Sequence, residues 1–149
     1  MKSNEIKYKI KTATEDEIFS HLKDCDRNFI PTLSERVNIE EYARKIFEKA
    51  VTFEAWKDRL LVGFIAAYFN HKFDDSGFIT YVGVANDFMG LGIASRLMDL
   101  CIEHTRQNNF RELKLEVNIH SDKAICLYDR FGFTNYKTDG DVLLMRLEI

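Results

Sequence analysis

The 149-residue sequence predicts an α+β fold, a single domain over residues 1–149 on a mixed, mostly antiparallel sheet with one parallel pair near its middle. Two patterns predict it. Between Val51 and Ala85, runs rich in β-branched and aromatic residues are joined by connections too short for a crossover, so they form an antiparallel meander. From Val84 onward the order becomes strand, helix, strand, helix, strand, and a βαβ unit implies a parallel pair with a right-handed crossover. Composition sets the outer limits: 46% hydrophobic and 30% charged residues describe a packed globular chain. With 21 Lys+Arg against 24 Asp+Glu the net charge is −3, without the clustered basic excess that nucleic acid requires. The longest apolar run, residues 60–69, is about half of a membrane span. The start, MKSNEIKYKIK, is charged where a secretory leader would be apolar. The expectation is therefore no membrane, and a cytoplasmic location.

Taken in chain order, residues 5–11 alternate well enough for a short strand. Thr14 then precedes three acids (Glu15, Asp16, Glu17) and the apolar Ile18, Phe19 and Leu22, an N-cap with acids at the positive helix end. Helical spacing of Ile39, Tyr42, Ala43, Ile46, Phe47 and Ala50 predicts a second helix over residues 35–49, and the single proline, Pro31, falls in the connection. Strands follow over residues 51–56, 60–69 and 78–85. The middle one is apolar on both faces, as a central strand should be. Beyond Gly90 and Gly92, a helix carries Ile93, Leu97, Leu100, Cys101 and His104 on one side. Leu113, Leu115 and Val117 alternate with Lys114 and Glu116 in a strand. A helix over residues 122–131 stops at Gly132, and residues 142–149 form the last strand. Cys25, Cys101 and Cys126 are odd in number with no CxxC, so they read as reduced thiols, Cys101 and Cys126 as core filler. The four histidines form no HxxxH pair, and no metal is expected.

Two motifs carry chemistry. In VANDFMGLGIASRLM (residues 84–98), a strand end and a loop with Gly90 and Gly92 lead into a helix. Helix N-termini offer unpaired N–H groups and positive dipole, and glycine lets that backbone approach a phosphate. A dinucleotide-binding Rossmann unit is one reading, with Glu116 where a ribose-binding acid would stand. Against it, Ser95 replaces the third glycine, an antiparallel meander precedes the motif, and too little chain follows for a doubly wound sheet.

The second motif is LEVNIHSDKAICLYDRFGF (residues 115–133). Together the two resemble the GNAT superfamily of acetyl-CoA-dependent N-acetyltransferases, with their V-x(4)-[QR]-x-x-G-x-[GA] loop, then LEV, N-x-x-A and LY-x-x-x-GF. The resemblance implies a central parallel pair that splays apart, with helices on both faces of the sheet. It implies acetyl-CoA as cosubstrate, its pyrophosphate on the backbone of Gly90, Leu91, Gly92, Ile93, Ala94 and Ser95. The pantetheine arm would lie along Val82, Gly83 and Val84, and Ser121 and Ala124 fall in the second binding motif. Tyr128 matches a general acid that protonates the departing thiolate. Glu116 matches the general base of ribosomal-protein alanine acetyltransferases. Strand alternation turns Glu116 away from Leu115 and Val117, and its alternative is a solvated strand face shared with Lys114. His120, with an ordinary pKa near neutrality, and Tyr81 are other candidates for the base.

Two departures from the family pattern stand out. Met89 occupies the Gln/Arg position, and Ser121 replaces asparagine, although serine is an equally good helix cap. A CoA-binding chain with degraded catalysis is the corresponding alternative. The implied acceptor is a small amine, an amino sugar or a protein α-amine. It would be selected by residues 24–35 (Arg27, Phe29, Pro31, Ser34) and 136–141, where Asp24/Asp26 and Asp139/Asp141 could meet a cation. Assembly as a homodimer is left open.

Overall fold

The computed structural model describes residues 5–72 and 74–149. Its chain order is β1 (Ile6–Ile10), α1 (Glu15–Asp24), α2 (Leu33–Arg36), α3 (Ile39–Lys49), β2 (Val51–Lys57), β3 (Leu60–Asn70) and β4 (Ser76–Val84). Then come α4 (Ile93–Gln107), β5 (Glu112–Asn118), α5 (Asp122–Arg130), β6 (Thr134–Asp139) and β7 (Val142–Glu148). Thr14 starts α1 through a full capping box: its Oγ1 accepts from the Glu17 N–H at 3.2 Å, and the Glu17 carboxylate accepts from the Thr14 N–H at 2.8 Å.

The strands form one seven-stranded sheet, ordered β1-β2-β3-β4-β5-β7-β6, in which only β4 and β5 run parallel. Each face buries its own core. On one, Leu97, Met98, Cys101, Leu127 and Tyr128 from α4 and α5 meet Phe53, Ile65, Ile79 and Leu115. On the other, Ile18, Leu22, Ala43 and Ile46 from α1 and α3 meet Trp56, Phe64 and Tyr81. Each large side chain so buried contributes about 1.5–3 kcal/mol. The second face also hides a carboxylate. Glu54 is fully buried and accepts from the N–H groups of Thr12 and Ala13, the hydroxyls of Thr12 and Thr52, and the Trp56 indole. These bonds fasten the β1–α1 connection to β2 and satisfy the charge that burial would otherwise penalise.

Four local expectations need correction. The predicted helix over residues 35–49 is two helices. Val37 is extended, and the Asn38 side chain caps α3 by accepting from the Glu41 N–H at 3.0 Å. Cys126 is exposed rather than core, because α5 turns Ala124, Leu127 and Tyr128 inward and leaves Cys126 between them on the outer side; Cys25 and Cys101 are buried. Ser121 occupies the N-cap of α5 without a side-chain cap bond. Finally, the chain forms a strand, β6, over residues exposed along its whole length, so it carries no hydrophobic alternation to read.

Candidate active site

The parallel pairing of β4 with β5 runs from Ser76 opposite Glu112 to Ile79 opposite Leu115 and stops there. β4 nevertheless continues beside β3 as far as Val84, opposite Gly63, and β5 continues beside β7 as far as Asn118, opposite Val142. The two strands therefore diverge into a cleft in mid-sheet. A bulge starts the divergence. Ala67 faces Ile79 but Ala66 faces Tyr81, so Thr80 is an extra residue in β4. Bulges bend the strand and increase its twist. This one also inverts side-chain parity: Ile79 lies in the α4/α5 core, yet Tyr81, two residues on, lies in the α1/α3 core. Beyond it, Val82 and Val84 return to the α4/α5 side, and Gly83 lies beneath the Tyr81 hydroxyl, where any Cβ would collide.

Past the cleft the chain enters the glycine loop. Gly90 (φ +78°) and Gly92 (φ +80°) adopt the left-handed conformation, and a Cβ on either would meet open space. Gly92 is the N-cap of α4, with no side-chain cap and no acid in the first turn. The first helical bond is Arg96 N–H to Gly92 carbonyl at 3.1 Å. Among the described residues, the N–H groups of residues 90–95 have no backbone acceptor. The positive end of a 15-residue helix lies at this loop. Met89 (45%) and Leu91 (65%) are exposed, Ile93 is buried, and Ala94 and Ser95 are half-buried. Two cations missing from the sequence reading flank the loop. Arg130, at the end of α5, places Nη2 3.5 Å from the Ser95 hydroxyl, and the Arg96 guanidinium stands 5.7 Å from the Tyr8 ring. Arg130 lies 35 residues from Ser95, a contact that no local spacing reveals.

Tyr128 is buried beside the Phe133 ring at 5.8 Å. Burial pushes its phenol well above the ordinary value, so it is a neutral O–H donor across the working pH range. Glu116 stands one residue past the last parallel pair, opposite Leu144 of β7, exposed and without an ion pair or hydrogen bond among the described residues. Its face of β5 is the one opposite Leu113 and Leu115, so Tyr128 and Glu116 lie on the two sides of the sheet. Lys114, on the same face as Glu116, is paired with Asp74 at 3.0 Å. His120 is exposed in the turn after β5, and its N–H donates to the Asn118 side chain.

Tyr81 is unsuited to act as a base. It is buried against Phe64, Phe29 and His21, and that burial holds its phenol far above the ordinary pKa. Of the acids on the acceptor side, Asp26 is already used by the fold, since its carboxylate accepts from the Ser34 N–H at 2.7 Å. Asp139 and Asp141 are exposed. Among the described residues no group of three His, Cys, Asp or Glu is close enough to hold a metal ion, and no helix is long and apolar enough to cross a membrane. A separate polar hollow of about 760 Å³, lined in part by Arg106, Arg111, Glu112 and Glu148, lies at the opposite end of β5.

Residues 15–133 match the acetyltransferase (GNAT) family. The chain belongs to that family of acyltransferases. Over 97 residues it is 30% identical to a mycothiol acetyltransferase of Geodermatophilus obscurus, a match covering 62% of this chain and 32% of the relative. The chain thus spans about a third of the length of that curated relative. In three dimensions it resembles the ribosomal-protein-S18-alanine N-acetyltransferase of Escherichia coli, with TM-score 0.75 and 19% identity over 96% of this chain and 94% of that one. It also resembles the PaiA N-acetyltransferase of Thermoplasma acidophilum in complex with coenzyme A, with TM-score 0.74 and 14% identity over 96% and 99% of the two chains. At these identities the two structures establish the fold.

Proposed function

We propose that this chain is an N-acetyltransferase that moves the acetyl group of acetyl-CoA to a primary amine by direct attack in a ternary complex. The divergence of β4 from β5 carries the reading. It leaves an open strand edge at Val82, Gly83 and Val84 that leads into a loop of unpaired N–H groups. The residues present fit the cosubstrate. The N–H groups of residues 90–95 and the helix dipole suit a pyrophosphate, the space over Gly90 and Gly92 is open, and Arg96 and Arg130 add positive charge. These main-chain donors compensate for Met89, which has none. Ser121 and Ala124, half-buried at the start of α5, are assigned to the same cosubstrate site.

The acceptor amine enters from the α1/α3 side, between the loop carrying Phe29 and Ser34 and the β6–β7 hairpin. It arrives as an ammonium, because an alkylamine pKa is about 10.4, and must lose a proton to become a nucleophile. Glu116 takes that proton, through a water. The amine nitrogen then bonds to the thioester carbon, the carbon–sulfur bond breaks, and the Tyr128 hydroxyl delivers a proton to the departing sulfur. The second proton shed by the nitrogen as it becomes an amide restores the Tyr128 phenol through solvent. Tyr128 and Glu116 on opposite sides of the sheet suit these separate tasks. A second reading, CoA binding with reduced catalysis, is favoured by the exposure of Glu116, whose carboxylate no neighbouring side chain among the described residues holds in place.

The test is a pool of amines, including amino sugars and peptide α-amines, incubated with acetyl-CoA while free thiol is followed over time. Amine-dependent thiol release supports the proposal; the exposed Cys126 thiol contributes a background to be subtracted. Calorimetric CoA binding without turnover on any amine supports the second reading. Binding of NAD in place of CoA overturns both.

A further inference from the structure

The bulge that opens the cleft is held from outside the sheet. Thr80 lies where β4 has just lost β5 as a partner, so its carbonyl needs a donor. Tyr42, in the first turns of α3, supplies one: its hydroxyl donates to the Thr80 carbonyl at 2.7 Å and lies 2.8 Å from the Thr80 hydroxyl. The two hydroxyls thus close a small ring on a single residue. Burial raises the Tyr42 phenol to about 12, so it remains a donor throughout the neutral range. Neither Tyr42 nor Thr80 belongs to the motifs that bind phosphate or move protons. Tyr68, whose own hydroxyl is buried, also stands next to Thr80.

We infer that Tyr42 is a positioning residue: by pinning the Thr80 bulge it keeps the edge at Val82, Gly83 and Val84 rigid and parted from β5 before acetyl-CoA arrives. The inference rests on the proposed acetyl-CoA site. Its physical basis is preorganisation, since a binding edge that is already ordered loses little freedom when occupied. A freed bulge would fluctuate, and ligand binding would have to order it.

The experiment compares the full-length wild type with Tyr42→Phe, which keeps the ring, and with Tyr42→Phe/Tyr68→Phe, which removes the neighbouring hydroxyl able to take over. Thr52→Val is the control, because it deletes a buried hydroxyl bond to Glu54 within β2, a strand that does not border the β4–β5 cleft. Calorimetry with CoA should show Kd raised about tenfold in the Tyr42 variants, the usual effect of leaving one buried acceptor unsatisfied. KM for acetyl-CoA should rise similarly with kcat little changed. In the ligand-free proteins, backbone amides of residues 80–84 should exchange at least about tenfold faster, while those of β2 do not. This exchange measurement needs no ligand. If the wild type ignores CoA but Tyr42→Phe still loosens residues 80–84, the pinning stands and the acetyl-CoA reading falls. Exchange and Kd unchanged from wild type, or altered no more than in Thr52→Val, overturn the inference.

Discussion

Acidification should weaken the fold through one buried imidazole. His21, on α1, is 4% exposed, packed against Phe64 and Tyr81 at ring separations of 5.0 and 5.8 Å. Its Nδ1 lies 3.3 Å from the Leu61 carbonyl, which can only accept, so the proton sits on Nδ1 and Nε2 faces the Cys25 thiol at 3.6 Å. Burial, partly offset by that carbonyl, lowers its pKa from 6.5 to about 4. The unfolded chain therefore takes up a proton below about pH 6.5 that the folded chain resists until about pH 4. The stability this provides is complete above the higher value and is lost as pH falls toward the lower one. At about 1.4 kcal/mol per unit, the full loss is about 3 kcal/mol, of which about 2 kcal/mol has gone by pH 5. For a domain of this size that corresponds to roughly 4–8 °C in Tm. Urea unfolding of wild type and His21→Gln between about pH 7.5 and pH 5 isolates the effect, because other titrating groups, His104 included, cancel in the difference. The wild-type curve should fall more steeply, so that the two proteins converge toward low pH. Parallel curves would refute the burial argument.

Four substitutions at three positions test the site directly. Gly92→Glu places bulk and negative charge where phosphate should sit and should abolish measurable CoA binding in calorimetry. Gly92→Ala, bearing only the left-handed backbone cost of about 1–2 kcal/mol, should retain most of it. Tyr128→Phe keeps the ring against Phe133 but removes the proton donor, and kcat on the true acceptor should fall about 10²–10⁴-fold with CoA affinity little changed. Unaltered turnover would leave it a packing residue. Glu116→Gln should slow the reaction about 10²-fold and change the acidic limb of the kcat/KM profile; if both survive, solvent or His120 takes the ammonium proton.

Much of the architecture could be read from local pattern. The meander, the glycine loop, α4 and the alternation of β5 all come from periodicities that tertiary contacts reinforce. Apolar spacing continues through Val37 and Ile39, so the sequence shows one helix where the chain forms two, and the break depends on the Asn38 side chain accepting from the Glu41 N–H. β6 carried no alternation because neither face is covered. The Gly90 and Gly92 backbone was legible because glycine is needed there for its dihedral angles. Arg130 and Tyr42 were not, since each becomes relevant only when distant segments meet. Thr80 was hidden for a different reason. A bulge is defined against the neighbouring strand, and β4 read alone shows only strand-forming residues on both sides of Thr80, Phe78 and Ile79 before it and Tyr81 and Val82 after.

Because of that bulge, β4 is really two half-strands of opposite phase, and this governs how the segment can change over time. Deleting Thr80 would leave Ile79 opposite Ala67 and Tyr81 opposite Ala66, so each layer would keep its side chains while the bulge itself disappeared. A one-residue shortening here should therefore spare both cores and remove the bend that parts β4 from β5. The same phase shift offers a rule for altering acceptor preference. Variation at position 81 acts on the α1/α3 layer, whereas variation at 79, 82 and 84 acts on the α4/α5 layer. A library built on simple odd-and-even alternation along β4 would mix the two layers at every step, and one divided at Thr80 would keep them apart.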